Sequence, residues 1–270
     1  MIATCVSPFV YEAHQQVAVP RCPLCQRANE SVPAVDRYGF PVGTSMCACG
    51  FAYLNPQLSA DGYLDFYDTG YRPLSDPLYR PNGQPKRVAE ANDVLMRGVM
   101  IAHASAQLWP VRPVSVLDVG GGTGALLATL ATVWPPTSVT VLDPNPGELA
   151  RATGRGYRTL RGLADSRPVV PSQDVIVCAQ TLDHLQDPLA ALTWMRDALS
   201  PGGWAFMDIV DAPVLAHMTH VSNGHAWKLD HPCYWRPTNL LAALQMTGWR
   251  IKARARYGYH YAVWCEGAPA

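Results

Sequence analysis

The length, composition and charge of the 270-residue chain narrow the classes of protein to which it can belong. Lys and Arg number 21, as do Asp and Glu, so the net charge is zero, whereas a nucleic-acid binder usually carries a basic excess. No apolar run approaches the roughly 20 residues of a membrane span, and no signal peptide is expected from the N-terminal residues. Eight cysteines without an export signal favour reduced thiols or metal ligands in a cytoplasmic protein.

Residues 1–60 are rich in cysteine and turn formers, and we expect them to fold as a small zinc-ribbon-like module. Two cysteine pairs flank a potential β-hairpin, and their members are Cys22, Cys25, Cys47 and Cys49. Four thiolates in this arrangement suit a tetrahedral zinc ion in a structural role. The second pair is tighter than Cys-x-x-Cys, with Met46 at the usual position, so Cys5 and His14 are candidate substitutes. Buried thiols without a metal are the alternative.

Residues 61–85 are predicted to be a connector in which tyrosines and prolines are interspersed. Proline blocks a continuous helix, and so many tyrosines seldom lie in a free linker, so we expect the connector to pack on its neighbour. From Lys86 to Trp109 apolar residues recur at helical spacing, and Pro110 and Pro113 end the predicted helix.

Strands and helices alternate in the remainder of the chain. The apolar runs "VSVLDVG", "SVTVLD", "YRTLRG", "QDVIVCAQ" and "GGWAFMDIV" predict five strands with helices between them, and Asp187 is a predicted N-cap. Two further runs, "WRIKARARYG" and "YHYAVWCEG", predict a hairpin around Gly258. The alternation indicates an α/β domain over residues 86–270, with a doubly wound, mainly parallel sheet and an antiparallel C-terminal hairpin.

A glycine-rich turn follows the first of these strands in "VLDVGGGTGALL". Its glycines are spaced G-x-G-x-G, whereas the dinucleotide fingerprint is G-x-G-x-x-G and a P-loop ends in Gly-Lys-Ser/Thr. S-adenosylmethionine (SAM) carries no phosphate, so its site needs close approach of the backbone, which glycine permits. Asp118 could hold the ammonium group of such a cofactor, directly or through the turn. Asp143, at the end of the second strand, could accept both ribose hydroxyls.

Together with "LADS", "DVIVCAQTLDHLQDP" and "LSPGGWAFMDI", these stretches resemble the class I SAM-dependent methyltransferases over roughly residues 86–265. The resemblance implies a Rossmann-like methyltransferase sheet with Gly120 and Gly122 against the methionine part of SAM. It also implies that Asp143 contacts the ribose and that Ala164 and Asp165 lie near the adenine. Gln180 would lie under the cofactor close to the methyl group, and Pro144 is a further expected cofactor-binding residue. A Rossmann-like domain that binds no cofactor is the alternative.

The cysteine module resembles the N-terminal metal-binding module of some methyltransferases of sugar and secondary-metabolite pathways. The similarity lies in the two cysteine pairs and in the following stretch "NPQLSADGYLDFYDTGY". The resemblance implies that the module covers the substrate side of the cofactor cleft and that Tyr71 lies near the SAM carboxylate.

Two histidines are candidate general bases for methyl transfer, since histidine is the usual base near neutral pH. His184 follows the fourth strand in "TLDHLQ", and His231 lies in "KLDHPCYWRP" beside Tyr234. Asp183 is expected to orient a neighbour. His184 could instead bond the backbone, and His231 could simply anchor a lid. A second metal site is a weaker hypothesis, since no acid lies near its candidate ligands His217, His220 and His225.

These patterns predict a SAM-dependent methyltransferase that acts on a small metabolite or sugar intermediate. The second hypothesis is an RNA methyltransferase that docks nucleic acid through the cysteine module, although basic residues there are few and scattered. The third is a non-catalytic interaction protein that retains the SAM fold. No membrane partner is expected, and the accepting atom and the oligomeric state stay open.

Overall fold

Short strands form the N-terminal part of the chain in the computed structural model, which describes residues 8–76, 86–109, 113–133, 135–211 and 227–267. They are β1 (Gln16–Val17), β2 (Val32–Val35), β3 (Pro41–Met46), β4 (Ala52–Leu54) and β5 (Gln57–Leu58). β2, β3 and β4 form an antiparallel sheet, and β1 pairs with β5. The hairpin expected between the cysteine pairs is therefore present as β2 and β3.

A helical segment, residues 60–75, occupies most of the stretch predicted to be a connector. α1 (Ala60–Asp65) continues through a π-helical turn (Phe66–Gly70) into α2 (Tyr71–Ser75). Pro73 is accommodated because it lies in the first turn of α2, directly after the π turn, where the regular ladder of hydrogen bonds is already interrupted. The other prolines of the predicted connector, Pro77, Pro81 and Pro85, lie outside the described residues, so their effect on a helix stays a prediction.

A long helix, α3 (Lys86–Leu108), begins and ends close to the predicted positions. Its buried side chains include Arg97, Ile101 and Ala102, whereas Leu95 and Val99 are about half exposed. The helical period was therefore predictable, but the most apolar residues do not all face the core.

The central sheet has seven strands in the order β12-β13-β10-β9-β6-β7-β8. Their bounds are β6 (Ser115–Val119), β7 (Ser138–Asp143), β8 (Arg158–Arg161), β9 (Gln173–Cys178), β10 (Leu199–Val210), β12 (Trp249–Tyr257) and β13 (His260–Gly267); β11 (Cys233–Tyr234) lies outside this sheet. The five strands from β10 to β8 are parallel, and β13 and β12 add an antiparallel hairpin at one edge. The predicted α/β fold is confirmed.

Helices cover both faces of this sheet, which explains why β6 and β9 are almost continuously buried. The further helices are α4 (Ala125–Val133), α5 (Pro146–Gly154), α6 (Pro188–Asp197) and α7 (Pro237–Met246). α3, α4 and α5 share one apolar cluster, and α6 and α7 contribute to a second one. Asp187 caps α6 as predicted, since its side chain accepts from the Ala190 N–H at 3.1 Å. Within the described part of the chain, no helix combines the length and apolarity needed to cross a membrane.

The N-terminal sheet gains a fourth strand from the C-terminal half of the chain. β11 pairs antiparallel with β4, and the Leu54 N–H donates to the Pro232 carbonyl at 3.0 Å. The fully buried Trp235 packs edge-on against Phe51, with ring centroids 4.9 Å apart. The cysteine-rich residues and the segment that carries His231 therefore share one sheet.

Candidate active site

A cleft opens beyond the carboxyl ends of β6, β7 and β9, where the strand order reverses direction. Ligands bind at such a switch point in open α/β sheets. The cleft encloses about 740 Å³, including space open to solvent. Eight of the nine predicted cofactor-binding residues line it, namely Tyr71, Gly120, Gly122, Asp143, Pro144, Ala164, Asp165 and Gln180. The ninth, Asp118, lies beneath the glycine turn and lines a neighbouring cavity.

The glycine turn brings bare backbone to the surface of the cleft. Gly120 has φ of +69°, and a Cβ there would lie 2.3 Å from the Thr181 Oγ1. Gly122 has φ of +54°, and its N–H donates to the Asp143 Oδ2 at 2.9 Å. Both positions need glycine, because the left-handed conformation disfavours other residues. The turn therefore offers the close approach that a nucleoside-like ligand without a phosphate requires.

Asp143 lies at the end of β7 and joins the two loops that border the cleft. Its Oδ1 accepts from the Asn145 N–H at 2.8 Å, and its Oδ2 accepts from Gly122. Burial raises the pKa of Asp143 to about 6, against the opposing effect of these two backbone donors. A carboxylate offers about four acceptor positions, so two remain for donors on a ligand.

Asp118 is buried beneath the turn rather than exposed in the cleft. A Cβ on Gly121 would lie 2.4 Å from the Asp118 carboxyl group, and among the described residues its Oδ2 has no hydrogen-bond partner. Burial and the charge of Asp143 raise the pKa of Asp118 to about 7. Asp118 could therefore stabilise the ammonium group of a ligand only through the glycine turn, which is one of the two routes predicted from the sequence.

Leu163, Ala164 and Leu185 line an apolar end of the cleft. Asp165 borders this end. Asp165 itself accepts from the backbone N–H groups of Gln186, at 3.1 Å, and Asp187, at 2.8 Å. Its carboxylate thus holds the loop after β9 in place, a role that the sequence did not indicate.

The helical segment 60–75 lies along one wall of the cleft. Tyr71 and Arg72 line the cleft, and the Arg72 Nε donates to the Glu148 Oε1 at 2.7 Å. The Asn145 side chain donates to the Tyr67 carbonyl, which fastens the segment to the loop after β7. These contacts place the segment against the loop after β7 and against α5.

The two candidate bases lie in contact at one end of the cleft. The ring centroids of His184 and His231 are 4.5 Å apart in an edge-to-face arrangement. The His184 Nδ1 lies 2.8 Å from the Tyr67 hydroxyl. His184 lines the cleft, and His231 is buried behind it. From the sequence, either histidine was a candidate base, and the structure brings the two side chains into contact with each other.

A lysine and an aspartate complete this cluster. The Lys228 Nζ lies 3.1 Å from the His231 Nε2, and the Asp230 Oδ2 lies 3.7 Å from the same nitrogen. Candidate ligand atoms of His184, Asp230 and His231 lie within 4.8 Å of one another. A cation is already present in Lys228, so the arrangement favours an acid–base cluster over a second metal site. The histidines of the predicted second site, His217, His220 and His225, lie outside the described residues.

Asp183 and Tyr234 are buried beside the cluster rather than exposed in the cleft. Burial raises the pKa of Asp183 to about 8, against the opposing charge of Lys228. The Tyr234 hydroxyl accepts from the Lys228 backbone N–H at 2.6 Å. Tyr234 therefore holds the loop that carries Lys228 and His231.

The four predicted zinc ligands come together in the N-terminal sheet. The Cys22 and Cys49 sulfurs are 3.7 Å apart, and those of Cys25 and Cys47 are 3.4 Å apart. A tetrahedral zinc ion with Zn–S bonds of about 2.3 Å requires sulfur separations of about 3.8 Å, so the cluster fits zinc with small adjustments. Burial alone would raise the pKa of Cys47, but hydrogen bonds from Cys49 and Cys25 lower it to about 6.

Of the two alternative zinc ligands, only His14 lies among the described residues. His14 lies elsewhere, since its Nε2 is 3.0 Å from the Asp65 Oδ2 and its ring stacks on Phe9. Cys5 lies outside the described residues. The tight Cys-x-Cys spacing of the second pair therefore does not prevent a set of four cysteines.

With this geometry, the chain can be compared with known proteins. A family model described as a methyltransferase domain matches residues 90–253, which is more than half of the chain. The chain belongs to this methyltransferase-domain family. The resemblance proposed from the sequence is thereby confirmed.

Curated relatives agree with the family. The chain is 31% identical over 163 residues to trans-aconitate 2-methyltransferase of Streptomyces avermitilis, covering 56% of this chain and 61% of that protein. It is 27% identical to ubiquinone biosynthesis O-methyltransferase of Vibrio cholerae, covering 54% and 64%. The chain thus spans about three fifths of the length of these relatives.

Solved structures share the fold. A SAM-dependent methyltransferase from Clostridium acetobutylicum has a TM-score of 0.55 and 11% identity, covering 68% of this chain and 99% of that one. The plantazolicin methyltransferase BamL, solved with SAH (the demethylated cofactor product), has a TM-score of 0.52 and 16% identity, covering 62% and 67%. At these identities the likeness shows the fold alone.

Several site residues were missed from the sequence. Tyr67, Arg72 and Glu148 line the cleft, but no pattern at these positions indicated a role in the site. Lys228 and Asp230 could have been suspected, because they flank His231 in "KLDH" and an acid beside a histidine often orients it. The contact with His184 depends on pairing between distant segments, which no local pattern reveals.

Proposed function

We propose that the chain transfers the methyl group of SAM to a small-molecule acceptor. The observation that carries this proposal is the convergence of the glycine turn, Asp143 and the His184–His231 pair on one cleft in a member of the methyltransferase-domain family. Two relatives are named for trans-aconitate methylation and for ubiquinone biosynthesis, which supports a small acceptor.

The cofactor end of the cleft has a group for each part of SAM. SAM, when bound, supplies an activated methyl group on a sulfonium sulfur. The turn at Gly120 and Gly122 admits the methionine part against the backbone, and Tyr71 borders the position proposed for its carboxylate. The remaining acceptor positions of Asp143 suit the two ribose hydroxyls. The apolar end beside Ala164 suits the adenine ring.

The histidine cluster is proposed to remove the proton from the acceptor. In the tautomer of His184 that donates from Nδ1 to the Tyr67 oxygen, Nε2 is the proton-accepting nitrogen. His231 packs on His184, and Asp230 and Lys228 set the charge around it. A base that is held in place and partly screened from water contributes about 10²–10⁴-fold to the rate of such a step.

Calorimetric titration with SAM and with SAH tests the cofactor assignment without knowledge of the acceptor. Binding of both compounds is expected. The proposal would be refuted if the protein bound neither SAM nor SAH. Incubation with methyl-labelled SAM and an extract of small metabolites, followed by mass spectrometry, then identifies the acceptor. Labelling of RNA that is abolished by added salt, without labelling of any small molecule, would favour the RNA hypothesis instead.

As part of the proposal, the cysteine cluster holds one structural zinc ion. The proposed ligands are Cys22, Cys25, Cys47 and Cys49, whose thiolates require a reducing compartment such as the cytoplasm. Elemental analysis of the purified protein should find about one zinc per chain, and Cys25→Ser should lose it and lower the melting temperature. The control Cys265→Ser alters a buried thiol in β13 that is not one of the four proposed ligands, and should retain the metal. Equal zinc content in both variants would contradict the site.

The acceptor is further proposed to belong to secondary metabolism. This proposal rests on the resemblance of the cysteine module to modules of sugar and secondary-metabolite methyltransferases. It predicts that the labelled product is such a metabolite.

A further inference from the structure

Gln180, on the floor of the cleft, has a backbone conformation that needs an explanation. Its φ is +52°, in the left-handed region that disfavours residues with a side chain. Its N–H donates to the Asp208 Oδ1 at 2.5 Å. Asp208 is fully buried on β10. A buried carboxylate therefore holds the strained residue in place.

The charge of Asp208 is compensated from two other elements. The Arg97 Nε of α3 lies 3.3 Å from the Asp208 Oδ2, and the Tyr257 hydroxyl of β12 donates to the same oxygen. Arg97 is itself only 3% exposed. Because burial of an unpaired carboxylate is costly, this arrangement keeps Asp208 available as an acceptor for Gln180.

The side chain of Gln180 is fixed by a second contact from the same network. Its Nε2 lies 3.0 Å from the His260 Nε2, which must then be the accepting nitrogen of a neutral ring. His260 stacks on Tyr257 with ring centroids 4.9 Å apart, and its Nδ1 lies 3.9 Å from the Asp208 Oδ2. Because the Gln180 amide nitrogen donates to His260, the Gln180 amide oxygen lies on the opposite side of the carboxamide group.

We infer that Asp208 and His260 are positioning residues that present the Gln180 amide oxygen to the sulfonium end of the cofactor. This inference rests on the proposed function, since it concerns the same cofactor site. A carbonyl dipole aimed at a positive centre stabilises it in a site screened from water. SAM carries a positive charge on sulfur and SAH does not, so the arrangement should favour SAM over SAH.

The ratio of the dissociation constants of SAM and SAH, measured by calorimetry, tests the inference. In Asp208→Asn and in His260→Phe, SAM affinity should fall about 10-fold and SAH affinity less than about 2-fold. The control is Glu266→Gln, at the opposite end of the same strands, where the carboxylate accepts from the Trp109 Nε1 at 3.0 Å. It should leave the ratio unchanged whatever its effect on the melting temperature.

An unchanged ratio in His260→Phe would overturn the inference, even if Asp208→Asn did not fold. Equal weakening of both ligands would assign the network a structural role only, and would also overturn it. If the unmodified protein bound neither SAM nor SAH, the proposed function itself would fail. The two failures are therefore distinguishable.

Discussion

Asp143→Asn is the sharpest perturbation of the proposed cofactor site. The Asp143 carboxylate accepts from Gly122 at 2.9 Å and from Asn145 at 2.8 Å, which leaves about two acceptor positions for ribose hydroxyls. Asparagine replaces one carboxylate oxygen with an NH2 group, which donates hydrogen bonds, and removes the negative charge. Hydrogen bonds to a charged group contribute about 1.5–3 kcal/mol each. Because water partly replaces the lost bonds, we expect SAM binding to weaken by about 1.5–3 kcal/mol, or about 10–150-fold.

Calorimetry with SAM and with SAH distinguishes a ribose effect from other effects. Both ligands carry the same ribose, so their affinities should fall in parallel. The matched control is Asp174→Asn, whose carboxylate also accepts from two backbone N–H groups, those of Val114 at 2.7 Å and Ser115 at 3.0 Å, but at the opposite end of the sheet. Unchanged affinity in a folded Asp143→Asn variant, or loss of SAM binding alone, would refute the reasoning.

Two further predictions concern catalysis and pH. His184→Ala and His231→Ala should retain SAM affinity within about 2-fold, whereas turnover of the identified acceptor should fall about 10²–10⁴-fold if the altered residue is the base; unchanged turnover in both variants would exclude a histidine base. SAM affinity should rise between pH 5.5 and 7.5, because burial raises the pKa of Asp143 to about 6 and that of Asp118 to about 7, and SAM favours their ionised forms. The α-amino group of SAM stays protonated below about pH 7.7. Calorimetry across this range checks the slope, and a flat profile would contradict these ionisations.

Much of the cofactor half could be predicted because its signals are local. The alternation of apolar runs gave the strands and helices of the sheet, and the glycine turn and Asp143 follow directly from the ends of β6 and β7. Parallel strands bring their carboxyl ends to one edge, so residues far apart in the chain could be assigned to one cleft without a model of side-chain packing.

The acceptor half was less predictable because its contacts are long-range. β11 pairs with β4 across about 180 residues, and no periodicity marks either strand as the partner of the other. The helical segment 60–75 was only partly predictable, because proline is a strong helix breaker and the π turn that accommodates Pro73 has no clear signature. The Asp208–Gln180 contact joins a strand interior to a loop, so the sequence indicated Gln180 but not the carboxylate that holds it.

Because β11 pairs with β4, the cysteine-rich region cannot be removed or transferred as an independent unit. Excising it would strip β11 of its neighbour and expose the indole of Trp235, which now packs against Phe51. A graft of this region onto another methyltransferase would need to carry residues 227–236 with it. Diversification of acceptor preference is therefore expected to proceed by paired changes in both stretches rather than by exchange of the N-terminal part alone.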